Sequence, residues 1–149
     1  MDAPAREFIL NILDNEHDLT LATVRPDGYP QATTVSYVND GLTIYIGTGK
    51  ESQKVNNIRH NNKVSLTVNT DYQDWIHIKG LSIGGRAEIL NDPDEIGRAT
   101  ECMLKRFPQV ADWADAGQRS DIVFLKIQPQ VVSILDYEKG FGHTDLVTV

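Results

Sequence analysis

The sequence predicts a mainly β domain, in which about six strands close or half close into a small antiparallel barrel with helices at its periphery. Three observations carry that expectation. The β-rich runs near the N-terminus are joined by loops too short for a crossover helix. A run interrupted by glycines, from Asp74 to Leu90, reads as one long bent strand. Helical periodicity is confined to the start of the chain, the stretch after the third strand and the stretch after the fifth. With 149 residues and 16.6 kDa, residues 1–149 form a single domain with 137–149 as a C-terminal tail.

The elements follow in order. Residues 4 to 15 read as a helix: Pro4 suits a first helical position, and Ala5, Phe8, Ile9, Ile12 and Leu13 make one apolar stripe. Leu19 to Val24, Gln31 to Val38 and Leu42 to Ile46 read as three strands of a meander. The turns at Asp27-Gly28 and Asp40-Gly41 carry the residues that tolerate positive φ between antiparallel strands. Gly47 to Gly49 reads as a flexible turn, and Lys50 to His60 as a short helix with Val55 and Ile58 on one side. Lys63 to Asn69 returns to strand, and Thr70 to Gln73 is a loop. Gly80, Gly84 and Gly85 then mark bends or a bulge in the long strand. Asp92 caps a helix whose first position is Pro93 and whose buried stripe is Ile96, Ala99, Met103 and Leu104. Phe107-Pro108 ends it, Gln109 to Ala114 adds a further turn, and Ile122 to Asp136 is the last strand. The tail from Tyr137 reads as neither clean helix nor clean strand.

Composition excludes several functions. Asp plus Glu number 21 against 14 Lys plus Arg, a net charge of -7, which opposes a nonspecific nucleic-acid or anionic-membrane surface. The single Cys rules out an internal disulfide framework and fits a reducing compartment. The N-terminus lacks the basic start and apolar run of a signal peptide, so the expectation is a soluble cytoplasmic protein.

Metal and nucleophile schemes find little support. His17, His60, His77 and His143 form no HxH or HExxH pattern, and Cys102 sits in an amphipathic helix beside Met103 and Leu104. Ser36, Ser65, Ser82 and Ser133 lack a nucleophile-elbow context. Asp92, Asp94 and Glu95 have the local job of favouring a helix N-terminus. Trp75 and Trp113 suit core or interface volume, or stacking on a flat ligand. The tail around Phe141 and His143 suits a dimer interface, an edge over a cofactor or ordinary packing. The one segment with a defined chemistry is Thr48-Gly-Lys-Glu-Ser-Gln-Lys54. It joins a strand end to a short helix, where backbone N–H groups and the helix dipole favour an anion, with Ser52 and Lys54 as side-chain donors. It lacks the GxxxxGK[ST] order of a Walker loop.

The order of several segments resembles the pyridoxamine 5'-phosphate oxidase-like, FMN-binding split-barrel superfamily, especially its general stress protein and flavin-reductase-like members. The segments are Leu19 to Val24, Asp27 to Thr34, Leu42 to Gly47, Ser52 to Lys54, Asn57 to Leu66 and Ile78 to Leu90, within residues 5 to 136. The resemblance implies a six-stranded antiparallel split barrel. It also implies a homodimer with two shared FMN grooves and hydride transfer through the flavin, with a small-molecule donor or acceptor. In that scheme Gln31, Ala32, Thr33, Thr34 and Val35 line one face of the flavin. Tyr45, Ile46, Gly47 and Thr48 approach its phosphate or ribityl chain. Ser52, Gln53 and Lys54 match the family's Ser-Arg-Lys phosphate segment, with Gln53 where the oxidase has Arg. Lys79, Gly80, Leu81 and Ser82 match a strand that reaches the flavin from the other subunit. The oxidase's C-terminal Arg-x-His segment has no match, because the chain ends Tyr137-Glu-Lys-Gly-Phe-Gly-His143, so the substrate is not implied. The missing Arg also keeps the deazaflavin F420 as an alternative ligand. A noncatalytic flavin-binding stress or sensor protein is the competing class. The resemblance assigns no catalytic residue and no metal.

Overall fold

The computed structural model describes residues 1–114 and 121–149; the side chain of Trp113 lies outside the described residues. The chain runs α1 (Ala3–Asn15), β1 (Asp18–Val24), β2 (Pro30–Ser36), β3 (Val38–Asp40), β4 (Thr43–Gly49), α2 (Gln53–His60), β5 (Lys63–Asn69) and β6 (Lys79–Ile89). It continues through α3 (Pro93–Arg106), α4 (Val110–Ala114), β7 (Ile122–Asp136) and β8 (Thr144–Thr148). Every strand pairing is antiparallel, and the sheet order is β2-β1-β5-β6-β7-β4-β3, with β8 added on β7.

The expected mainly β antiparallel barrel with peripheral helices is present, with more strands than six. β2 runs through Tyr37 into β3, so one meander strand becomes two that serve opposite ends of the sheet. The tail supplies β8, in which Thr144 to Thr148 pairs with Val131 to Leu135. Three boundaries also move. β4 continues through Gly49 where a turn was expected, because its ladder with β7 extends to Gly49↔Ile122. α2 begins at Gln53 rather than Lys50. A 3-10 turn, Trp75–His77, replaces the first residues of the long strand, which starts at Lys79.

The sheet curls around a core that includes Ile9, Leu13, Leu21, Ile46, Leu66, Ile83 and Ile127, all nearly or fully buried. Curling brings β2 within 8 Å of β4, Cα to Cα, without a ladder between them. Tyr37 closes this seam at one end. Its ring is fully buried, its hydroxyl donates to the Leu13 carbonyl at 2.8 Å, and the Arg106 guanidinium lies 5.3 Å from the ring centroid. The bend in β6 falls at the glycines, where the register with β7 shifts between Gly84 and Gly85. A Cβ on Gly85 would lie 2.7 Å from the Gln128 carbonyl oxygen, so only glycine fits there.

Candidate functional site

The open seam between β2 and β4 is flanked by the start of α2. Asp2 and Asp92 cap α1 and α3 by accepting from Ala5 N and Asp94 N, whereas Ser52 at the N-cap of α2 makes no side-chain cap bond. The first-turn N–H groups of α2 therefore lack the side-chain acceptor that the other two helices have. Around them, Thr48 Oγ1 donates to Ser52 Oγ at 3.4 Å and accepts from Lys54 Nζ at 3.3 Å. Lys54 is half-buried, and Thr48 is its one hydrogen-bond partner among the described residues. A cation, two hydroxyls and a positive helix end converge here. That donor set fits a phosphate dianion.

Behind this lobe lies a buried polar chain that links it to β2. Gln53 Nε2 donates to Asn57 Oδ1 at 2.7 Å, and Asn57 Nδ2 donates to Thr23 Oγ1 at 2.9 Å and to Gln31 Oε1 at 3.0 Å. Asn57 is 0% exposed, and the three bonds use both its donors and its acceptor. Gln31, Thr48, Ser52, Gln53 and Lys54 are thus brought into one neighbourhood. Sequence reading passed over Asn57 and Thr23. The available signal was an Asn beside Ile58 on the apolar side of a short helix, where a polar residue needs partners from elsewhere.

The remaining candidates are placed differently. Along β2, Gln31, Thr33 and Val35 are half-buried while Ala32 and Thr34 are exposed. Ile46 belongs to the main core, and Tyr45 to a second cluster beneath α3 with Val38, Leu90, Ala99 and Met103. A ligand in the seam would meet these two through backbone. Gly47 is exposed at the β4 end, with its Cα side against Phe124. Lys79 pairs with Glu138 at 3.4 Å, Leu81 is buried, and Gly80 backs onto Val68 and Asn69.

Lys79, Gly80, Leu81 and Ser82 lie on β6, which borders β7 on the side away from β4. Thr48 pairs with Val123 and Ser82 with Ser133 on the same strand β7, about 30 Å apart along it at the usual rise per residue. The sheet's outer surface at Ser82 is a row of hydroxyls in register: Thr34, Thr20, Thr67, Ser82 and Ser133. Beyond it stand the exposed rings of Trp75 and Phe141, their centroids 5.9 Å apart.

A second polar cluster sits under α3. Glu95 accepts from Tyr45 Oη at 3.3 Å and from Lys126, holding α3 to β4 and β7. Glu95 therefore does more than favour its helix N-terminus. The hydrogen bond to Glu95 pushes the Lys126 ammonium above its ordinary range, while burial first and Glu95 second push the Tyr45 phenol up. Among the described residues no group of three or more His, Cys, Asp or Glu is placed to hold a metal, and no helix is long and apolar enough to cross a membrane.

Comparison with known proteins agrees with this architecture. The family model described as pyridoxamine 5'-phosphate oxidase matches residues 5–136. General stress protein 26 of Bacillus subtilis (strain 168) is 27% identical over 131 residues, covering 88% of both chains. A putative pyridoxamine 5'-phosphate oxidase from Listeria innocua superposes with a TM-score of 0.73 at 29% identity, over 89% of this chain and 98% of that one. An F420 reductase gives 0.65 at 25% identity, over 83% and 94%. A heme binding protein from Mycobacterium smegmatis gives 0.82 at 21% identity, over 99% of this chain and 59% of that one, a likeness of fold alone. With a matching model over most of its length, the chain belongs to the pyridoxamine 5'-phosphate oxidase-like family.

Proposed function

We propose that the protein binds FMN in the β2–β4 seam, with the phosphate at the start of α2, and acts as an oxidoreductase. The observation that carries this reading is the uncapped N-terminus of α2 with Lys54, Thr48 and Ser52 gathered around it. Bound there, the flavin would supply hydride transfer through its N5, which asks of the protein mainly orientation and access. Lys54 Nζ and the first-turn N–H groups hold the phosphate. The edge of β2, with Gln31, Thr33 and Val35 turned inward, lines the ring by backbone and short side chains. A cytoplasmic setting, which keeps Cys102 reduced, goes with this function.

The reading includes a homodimer. In this reading Lys79, Gly80, Leu81 and Ser82 serve the groove of a second copy, as the family resemblance implies. The hydroxyl row and the exposed Trp75, Phe141 and Leu146 offer that copy uncharged and apolar contact surface.

The purified protein is expected to be yellow, with a flavin absorption spectrum, and to release FMN on denaturation, identified by mass. Oxidation of a reduced nicotinamide by the loaded protein would then separate an enzyme from a storage or sensor protein. A colourless protein that binds no added FMN would overturn the reading. F420 is the second reading, supported by Gln53 in the place of the family's Arg and by the similarity to an F420 reductase. Mass analysis of the released ligand distinguishes the two.

A further inference from the structure

The chain Gln53–Asn57–Gln31 has a property beyond holding α2 to β2. All of its members are amides or, at Thr23, a hydroxyl, and each can exchange the roles of donor and acceptor. In one sense Gln53 Nε2 donates to Asn57 Oδ1, and Asn57 Nδ2 donates to Thr23 Oγ1 and Gln31 Oε1, at 2.7, 2.9 and 3.0 Å. In the opposite sense Asn57 Nδ2 donates to Gln53 Oε1, and Thr23 and Gln31 donate to Asn57 Oδ1. Every contact survives the reversal, and no proton changes its heavy atom. A single reversed amide would set two donors or two acceptors against each other. Because Asn57 is 0% exposed, water does not relieve that mismatch, so the amides reverse together.

The two ends of the chain face different parts of the seam. Gln53 is the chain neighbour of Ser52 and Lys54, at the proposed phosphate lobe, and Gln31 is on β2, at the proposed ring lobe. We propose that Gln53, Asn57 and Gln31 form a reversible amide relay, with Asn57 as the positioning residue that sets whether Gln31 offers an N–H donor or a carbonyl acceptor to the ring. This rests on the flavin reading above for the identity of the ligand, but the relay itself is a property of the protein. It makes the hydrogen-bonding sense of the ring lobe depend on what Gln53 meets in the phosphate lobe.

Substitutions at half-buried Gln53 set the sense without replacing Asn57. Gln53→Glu can only accept, which turns Asn57 Nδ2 toward it and draws the Gln31 amide N–H inward. Gln53→Lys can only donate, which leaves the Gln31 N–H facing outward. In the ligand-free protein, nitrogen-15 NMR should show slower hydrogen exchange of the Gln31 side-chain amide in Gln53→Glu than in Gln53→Lys. Riboflavin, which has no phosphate to feel the new charge directly, should bind the two variants with affinities moved in opposite directions from wild type and about fivefold apart or more. In an Asn57→Leu background that difference should fall below about twofold, because the link is cut while the charges at position 53 remain. Equal exchange rates in the two variants would overturn the relay, as would an affinity difference that persists in Asn57→Leu. The exchange measurement needs no change at Asn57 and decides the matter even where Asn57→Leu does not fold. A wild-type protein that binds neither FMN nor riboflavin would remove the flavin reading, and the ligand-free exchange rates would still decide the relay.

Discussion

At the scale of single residues, Lys54 and Gly85 show how differently a side chain and its absence contribute. Lys54 makes one hydrogen bond among the described residues, to Thr48, so its removal should leave the fold intact. Lys54→Ala is expected to weaken FMN binding by roughly 1 to 3 kcal/mol, or one to two powers of ten. Riboflavin binding should change much less, and fluorescence titration of both ligands checks the pair. Equal FMN affinity in folded mutant and wild type would remove the phosphate contact. Gly85 acts through packing alone. In Gly85→Ala the new methyl group meets the Gln128 carbonyl oxygen at 2.7 Å, which should cost about 1 to 3 kcal/mol in urea unfolding. Both positions were legible: a lysine at a strand-to-helix junction, and paired glycines in a strand-like run. Asn57 was not, because its meaning depends on Thr23 and Gln31, 34 and 26 positions away.

At the scale of elements, α3 is clamped to the sheet by a polar triad that the local sequence does not reveal. Asp92 and Pro93 announce the start of the helix, and the structure confirms the cap. That Glu95 turns to Tyr45 and Lys126 follows only once β4 and β7 lie side by side. The triad has a pH signature. Lys126 is held above its ordinary 10.5 by the hydrogen bond to Glu95, and Tyr45, like Tyr37 outside the triad, is held above 10.0 chiefly by burial. A raised folded-state value gives stability that is complete below the unfolded value and lost as pH rises above it. Stability should therefore fall as pH rises beyond about 10. Glu95→Gln should cost roughly 1 to 2 kcal/mol at neutral pH. Its deficit should stay constant up to about pH 10 and then shrink as Lys126 loses its proton. Thermal unfolding of both proteins across that range is the check; a deficit that widens with pH would contradict the assignment.

At the scale of the whole molecule, the proposed homodimer sets an expected mass and an expected response to charge on its face. Light scattering at micromolar concentration should give twice the 16.6 kDa chain mass. Ser82→Arg places a long charged side chain within the hydroxyl row, at a position that is half-buried even in one copy. The variant should keep its circular dichroism spectrum, scatter as a monomer and lose flavin. A monomeric wild type with full flavin occupancy would refute the shared groove.

The sequence by itself determined the local chemistry. Alternation, paired turn residues, helix caps and glycine bends are short-range patterns, and they were enough for an antiparallel mainly β chain with helices in their correct places. They made the strand-to-helix segment ending at Lys54 a candidate for an anion, and the family resemblance strengthened it. The tertiary structure alone decided what depends on pairing between distant segments. Thr144–Thr148 became a strand because β7 had a free edge beside it, and β2 and β3 separated because the sheet closes through the buried Tyr37. The open α2 terminus and the Asn57 network arise in the same way. Each is fixed by which strands become neighbours, and a hydrogen bond to a distant partner leaves no periodicity in the chain to read.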